Sequence, residues 1–519
     1  MRALSGSRHV LATGLFALLA ACGGGGGGDD DGDDDVPGDL TVSLPQAHGG
    51  VLGASQTVYT EVPLRIVISG GTAETVAVAF NGAELAAVRE GNDWVADLPL
   101  SGLQDGELPV TVSARDASGV STATATLVLR AAGVAVTEVN RDGNAATPRL
   151  HDVGGRWYLT WTDSRDGGRK ARIAELDGAG RFVGEPRVLL GATEDVLSAR
   201  TAVGGDAVGV LYQHPGGGPY KNVFAVVGLD GTPRVAPIEL NPAGMYGSFG
   251  GDVIFDGRAF VVIYRINNGA ANSHIRWMRV TPSGEVTGPV VVAAAGMDDP
   301  HGGFDPITHI DVELAGSAVM VAFKRELYDQ LLDLSIPKCE VVSVDSDGTV
   351  GQLSYAATTG LDWHHECRLL RDERGTIVVW GAQDLEDPSN EPPTSLRAAA
   401  FNGAALDAAR GRGAMVVTAP LHRSEPTLVG GVMAWLDQRS YVNQTTGRIQ
   451  LFAAPIAPPN AGLAAGPPTI VGHARFIEGT AELGGVTSGT NRVLVWIDER
   501  HGGSILNPRP EVYVETLWY

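Results

Sequence analysis

The sequence predicts an all-β protein: an immunoglobulin-like sandwich followed by a β-propeller of seven four-stranded blades. Three observations carry this prediction. Glycine occupies 70 positions and proline 29 of 519, with 6% aromatics, which suits a turn-rich β chain better than a helical one. A hydrophobic strand ending in an aromatic recurs at Trp161, Tyr212, Tyr264, Phe323, Trp380, Trp435 and Trp496. Around each copy the same order returns: a first strand ending in a Gly turn, the aromatic-tipped strand, a third strand, a hairpin turn and a fourth strand. A chain of this length exceeds one ordinary core, and a repeat array is one way to build it.

The N-terminus supplies an address. Arg2 and Arg8 precede an apolar run from Val10 to Ala21, the layout of a secretory signal, and the run is too short to span a bilayer. Its end, Leu19-Ala20-Ala21-Cys22, resembles the lipobox of bacterial lipoproteins. The resemblance implies that residues 1–21 are a signal peptide and that Cys22 becomes a lipidated N-terminus holding the protein to a membrane without a transmembrane helix. Gly23 follows instead of an inner-membrane retention aspartate, which points to the outer membrane or cell surface. Residues 22–38, with Gly23–Gly28 and the acidic run Asp29 to Asp35, read as a flexible, self-repelling tether. No Gly-Lys-Ser/Thr follows the glycines, so a phosphate loop is excluded.

Residues 39–131 hold strand-like runs at Leu40–Leu44, Leu64–Ile68, Thr75–Phe80, Trp94–Leu98, Leu108–Ala114 and Ser121–Leu129. Turns fall at Asn81-Gly82, Gly91-Asn92 and Asp116 to Gly119. Short strands at this density read as an immunoglobulin-like sandwich, and the order of Asn-Gly, Trp94 and Asp105-Gly106 resembles the Ig-like modules of bacterial surface proteins. Trp94 is expected in its core, and the module is expected to act as a spacer.

Residues 134–519 carry the repeat. Four antiparallel strands per fifty-odd residues describe a propeller blade. The last unit has only three strands, so the segment Val134 to Val139 is expected to pair into it and close the ring. A long loop, Glu326–Pro337, is expected in the fourth unit. The second strands end in Trp161-Thr-Asp163-Ser-Arg165, Trp435-Leu-Asp437-Gln-Arg439 and Trp496-Ile-Asp498-Glu-Arg500. These aspartates are expected to cap the following loop, with the arginines paired nearby. The copies resemble the degenerate Trp-x-Asp-x-Arg propeller repeats of bacterial secreted proteins, distantly similar to sialidase-type propellers, although the sialidase Asp-box is absent. The resemblance implies architecture, and such folds host many functions.

Chemistry is expected on the ring axis, where first strands and the loops leading into them meet. The balance of 60 acidic against 38 basic residues, net −22, argues against nucleic acid as a partner. Polar segments leading into the first strands supply the candidates: Arg149, Arg200, Asp305, His309, Trp363, His364, His365, Glu366, Arg368, His422, Arg423 and Glu425. Seven of the 12 histidines lie in or beside these segments. Three readings remain open. The groups could solvate the mouth as ion pairs. They could bind a glycan, a small polar ligand or a protein, with Arg200, Arg368 and Arg423 holding an anion and Trp363 stacking on a sugar. They could form a glycosidase or lyase using Glu366 or Glu425 as acid or base. Asp305, His309 and His364 or His365 are ligand types but form no compact motif, so no metal, cofactor or catalytic residue is assigned. With Cys22 lipidated, Cys339 and Cys367 remain, and an oxidising envelope favours a disulfide between them. The protein is expected to be a monomer.

Overall fold

The structure is a computed structural model that describes most strands and turns between Leu40 and Leu517. Residues 1–39 and several connections, among them 191–195, 268–273, 295–306, 356–362, 384–394, 402–413, 419–425, 438–447, 457–468 and 476–482, lie outside the described residues. The leader, Cys22 and the tether therefore fall outside them.

Two sheets occupy residues 41–130. One orders Thr41–Ser43, Glu61–Ser69, Asp93–Pro99 and Val88–Glu90; the other orders Val51–Ser55, Val120–Arg130, Gly106–Arg115, Thr75–Phe80 and Ala83–Ala86. Alternation along Thr75–Phe80 buries Val76, Val78 and Phe80 against Leu64, Leu98, Val112 and Leu127. Asn81 and Gly82, at φ 48° and 75°, make the turn that their sequence suggests. Trp94 is only half-buried and packs against this core from its edge. Val51–Ser55, which runs parallel to Val120–Arg130, has no alternation that would announce it as a strand. It lies beside Thr469–Arg475 of the repeat, and apolar side chains of the sandwich form one continuous cluster with Ile377, Val379, Trp435 and Phe452.

From residue 136 onward the chain forms successive four-stranded antiparallel sheets. Their opening strands are Ala146–Val153, Ser198–Gly204, Tyr246–Phe255, Ile307–Ala315, Arg368–Asp372, Thr427–Val429 and Leu483–Ser488. In the fifth sheet Trp363–His364 also pairs with the second strand. Val136–Glu138 pairs with Glu511–Leu517 and completes the seventh sheet. Each opening strand lies beside the next, and Leu483–Ser488 lies beside Ala146–Val153. The result is an all-β, propeller-like repeat.

Each second strand is covered on both faces by neighbouring sheets, so it reads as an unbroken apolar run instead of alternating. Arg156–Asp163 and Ala207–His214 are buried at all but one end residue. The aromatic tips Trp161, Tyr212, Tyr264, Phe323, Trp380, Trp435 and Trp496 are all buried.

One expectation is corrected. Glu326–Pro337 is mostly strand: Ala318–Asp329 and Leu334–Val344 extend the hairpin, with Glu326 opposite Pro337 and Tyr328 opposite Ser335. Tyr328 and Ile336 have the β propensity that supports the extension. The side chain of Asp163 is engaged within the sheet. It accepts the Trp161 indole N–H at 2.8 Å and an Arg172 N–H at 2.8 Å, inside the sheet.

Candidate functional site

Register places one residue of every opening strand at the same level. Arg149, Arg200, Asp252, Asp311, Arg368, Thr427 and Gly484 pair respectively with Thr160, Leu211, Ile263, Ala322, Val379, Ala434 and Val495. Each partner immediately precedes the aromatic tip of its sheet. These seven equivalent positions line one cavity of about 340 Å³, which continues along the opening strands toward their Gly turns. Three arginines, from the first, second and fifth sheets, thus meet two aspartates from the third and fourth.

Two ion pairs form within the wall. Arg149 forms a fork on Asp252: Nη2 donates to Oδ2 at 2.7 Å and Nη1 stands 2.6 Å from Oδ1. A bidentate guanidinium–carboxylate pair is strong and directional, and here the carboxylate is buried. Arg368 stands 3.8 Å from Asp311, which also accepts the Leu369 N–H at 2.7 Å. Burial raises the Asp311 pKa, Asp252 adds to the rise, and Arg368 opposes it.

Two residues deeper on the same strand stands Glu313. Burial, with Asp311 adding to it, pushes its pKa up to about 7, although it accepts the Leu314 N–H at 2.9 Å. It is an acid that still holds a proton near neutrality. His151, two residues past Arg149, is pushed down to about 3 by burial and by Arg149. Its neutral ring shares hydrogen bonds with Thr160 and Thr201, with Nε2 3.0 and 3.2 Å from their hydroxyl oxygens.

Of the residues nominated from sequence, Arg149, Arg200 and Arg368 come together in this layer. His309 does not; it lines a side cavity that it shares with Arg200. Trp363 and His364 are described only as a short strand paired with Gln383 and Ala382. Asp305, His365, Glu366, His422, Arg423 and Glu425 lie outside the described residues. Cys339 and Cys367 form a disulfide with Cα atoms 5.3 Å apart, joining the third strand of the fourth sheet to the fifth sheet. Among the described residues no cluster of three metal-ligand side chains occurs. Sequence reasoning missed Asp252, Asp311 and Glu313. Their signal is an acid set inside an otherwise apolar opening strand, as in Asp252-Val253-Ile254 and Asp311-Val312-Glu313.

No protein-family model matches this sequence, and no curated protein matches it. Among solved structures, the polysaccharide lyase Uly1 is similar over 72% of this chain and 90% of its own, at 10% identity and a TM-score of 0.42. The exotype rhamnogalacturonan lyase YesX is similar over 90% of this chain and 89% of its own, at 12% identity and a TM-score of 0.36. An α-L-arabinofuranosidase from Lactobacillus brevis is similar over 51% of this chain and 94% of its own, at 10% identity and a TM-score of 0.32. The likeness is one of general all-β form.

Proposed function

We propose that this is a lipid-anchored cell-envelope protein whose ring binds a neutral carbohydrate on its axis without transforming it. In this reading Cys22 carries the lipid at the outer membrane or cell surface and residues 22–38 are a tether. Residues 39–131 are an immunoglobulin-like spacer, and residues 134–519 are seven blades closed into a ring. The lipobox-like Leu19-Ala20-Ala21-Cys22 supports the anchor. One observation carries the binding site: an axial cavity to which every opening strand contributes, with Arg149 and Arg368 already held beside Asp252 and Asp311. Such a wall offers many fixed donors and acceptors, and two of its three arginines are engaged by aspartates. Hydroxyl-rich neutral rings match it better than anions do, because an anion would have to displace a buried carboxylate from its arginine.

A glycan array probed with the full chain and with Thr427→Tyr tests this. Thr427 stands in the same layer on its uncharged side, so the larger ring fills the cavity. Binding of neutral glycans by the wild type, lost in the variant at unchanged Tm, supports the site. Binding that survives Thr427→Tyr rejects it.

Glu313 favours a second reading, a carbohydrate-cleaving enzyme, because an acid with a pKa of about 7 in a cavity suits proton donation to a leaving oxygen. Under that reading Glu313→Gln abolishes turnover while retaining binding, and the wild-type rate falls as pH rises through about 7. Glycan binding with no cleavage of any bound glycan by the wild type removes it.

A further inference from the structure

The fifth sheet delivers Arg368 to the axial layer differently from its neighbours. Arg149, Arg200, Asp252 and Asp311 each follow a lead-in of paired backbone, because their strands begin earlier, at Ala146, Ser198, Tyr246 and Ile307. Arg368 is the first residue of its strand. Trp363–His364 pairs with Gln383 and Ala382, Arg368–Asp372 pairs with Val379 to Gly375, and Cys367 belongs to neither strand. The residue that leads into Arg368 thus stands outside the ladder.

A covalent bond occupies that place. Cys367 is joined to Cys339 on Leu334–Val344, the third strand of the fourth sheet, with Cα atoms 5.3 Å apart. The two sheets that it joins are the two that supply one axial pair, Asp311 from the fourth and Arg368 from the fifth. Its far end is close to that pair in register. Asp311 lies opposite Ala322, Ala322 lies opposite Val341, and Cys339 stands two residues along the same strand. Both cysteines are buried, in an apolar cluster with Ala322, Val341, Leu369 and Trp380. The two residues that follow Cys367 make the contacts with Asp311: Arg368 stands 3.8 Å away, and the Leu369 N–H donates at 2.7 Å. Arg149, whose strand has its lead-in, grips Asp252 at 2.6 and 2.7 Å with no covalent tie between their sheets.

We infer that the Cys339–Cys367 bond is the positioning device of the axial site. It holds the start of Arg368–Asp372 so that Arg368 and the Leu369 N–H meet Asp311, and the axial layer is complete only in the disulfide-bonded chain. Thiols stay reduced in the cytosol and pair in oxidising compartments, so the site is completed where the bond forms. The effect on ligand binding rests on the axial carbohydrate reading above; the holding of the strand does not.

Hydrogen–deuterium exchange of the full chain, read by mass spectrometry, tests this with Cys339→Ala/Cys367→Ala beside the wild type. Peptides covering Arg368–Asp372 exchange at least about tenfold faster in the variant, whereas those covering Ala146–Val153 and Tyr246–Phe255 keep wild-type rates. A bond that only adds global stability raises exchange in all opening strands alike. That result, or unchanged exchange in Arg368–Asp372, overturns the inference. Wild type treated with dithiothreitol reaches the same state without substitution, which covers a variant that fails to fold. The dithiol passes two electrons and two protons to the cystine, giving two protein thiols and its own cyclic disulfide. Alkylation counts the thiols. Oxidised glutathione, itself reduced to two thiols, restores the bond and with it the slow exchange. Neutral-glycan binding falls at least about tenfold in both bond-free forms, because the ligand must then order the strand itself. Glycan binding that is unchanged without the bond overturns its link to the axial site. A wild type that binds no neutral glycan removes the axial reading instead, and the exchange rates still decide whether the bond holds the strand.

Discussion

The first and fourth sheets solve the same problem with opposite charges. In the first, Trp161 ends the second strand, Asp163 follows two residues later, and Arg172 stands opposite Trp161 on the third strand. In the fourth, Phe323 occupies the place of Trp161, Arg325 that of Asp163, and Glu340 that of Arg172. Each pair closes to 2.8 Å. The surroundings differ. Asp163 also accepts the indole N–H of Trp161, so both its oxygens are engaged. Phe323 has no such donor. Arg325 instead lies 5.6 Å above its ring, and neither Glu340 oxygen has a partner in hydrogen-bond geometry among the described residues. Burial then pushes the Glu340 pKa up to about 7, against the pull of Arg325. In these two sheets an aromatic is braced by an acid–base pair of either polarity. In the first sheet the Trp161–Asp163 part of the motif is scaffolding, since the indole and Arg172 between them engage both carboxylate oxygens.

The largest effect is expected where a buried charge is stranded. Asp163→Ala leaves Arg172 and the Trp161 indole without their acceptor and costs about 3–5 kcal/mol in denaturant unfolding of the full chain. Loss of less than about 1 kcal/mol would show that the pair is not what braces the tryptophan.

Charge exchange comes next. Arg325→Asp and Glu340→Arg alone each cost about 3 kcal/mol, whereas the double variant recovers at least about half of the summed loss because it recreates the first sheet's polarity. Adding Phe323→Trp to the double variant contributes about 1 kcal/mol more if the indole reaches the new aspartate. An additive double variant would mean that the two sheets are not interchangeable.

A pH scan separates the sheets further. The folded-state pKa of Glu340 is raised, so native protein binds the proton more tightly than unfolded chain does. Its contribution to stability is full below the unfolded value of 4.5 and is lost as pH rises through about 7, on the order of 2 kcal/mol. Glu340→Gln flattens that part of the Tm profile. The smallest effect is expected at the exposed Lys221–Glu239 pair, where Lys221→Ala changes stability by no more than about 0.5 kcal/mol.

Much of the repeat was legible because it follows local rules. Aromatic tips recur at fixed places, and turns such as Gly154-Gly155, at φ 62° and 82°, need the freedom that glycine has. The pairing of Val136–Glu138 with the last strand followed from counting strands. The Glu326–Pro337 extension was misread because its charged and proline-bearing ends look like a loop, yet cross-strand pairing carries it. Of the candidate site, the arginines were legible and their partners were not. A carboxylate inside an opening strand looks like a defect until the ring brings an arginine to it.

The sequence alone determined the order of the repeated strands, the aromatic that each second strand carries and which cysteines remain to pair. Those features depend on neighbours within a few residues or on a short repeat. Tertiary structure alone decided which charges cancel. Arg149 meets Asp252 across 103 residues of chain, and Arg200 lines both the axial cavity and a second one beside it. Electrostatic character belongs to groups gathered in space, and no spacing along the chain encodes it.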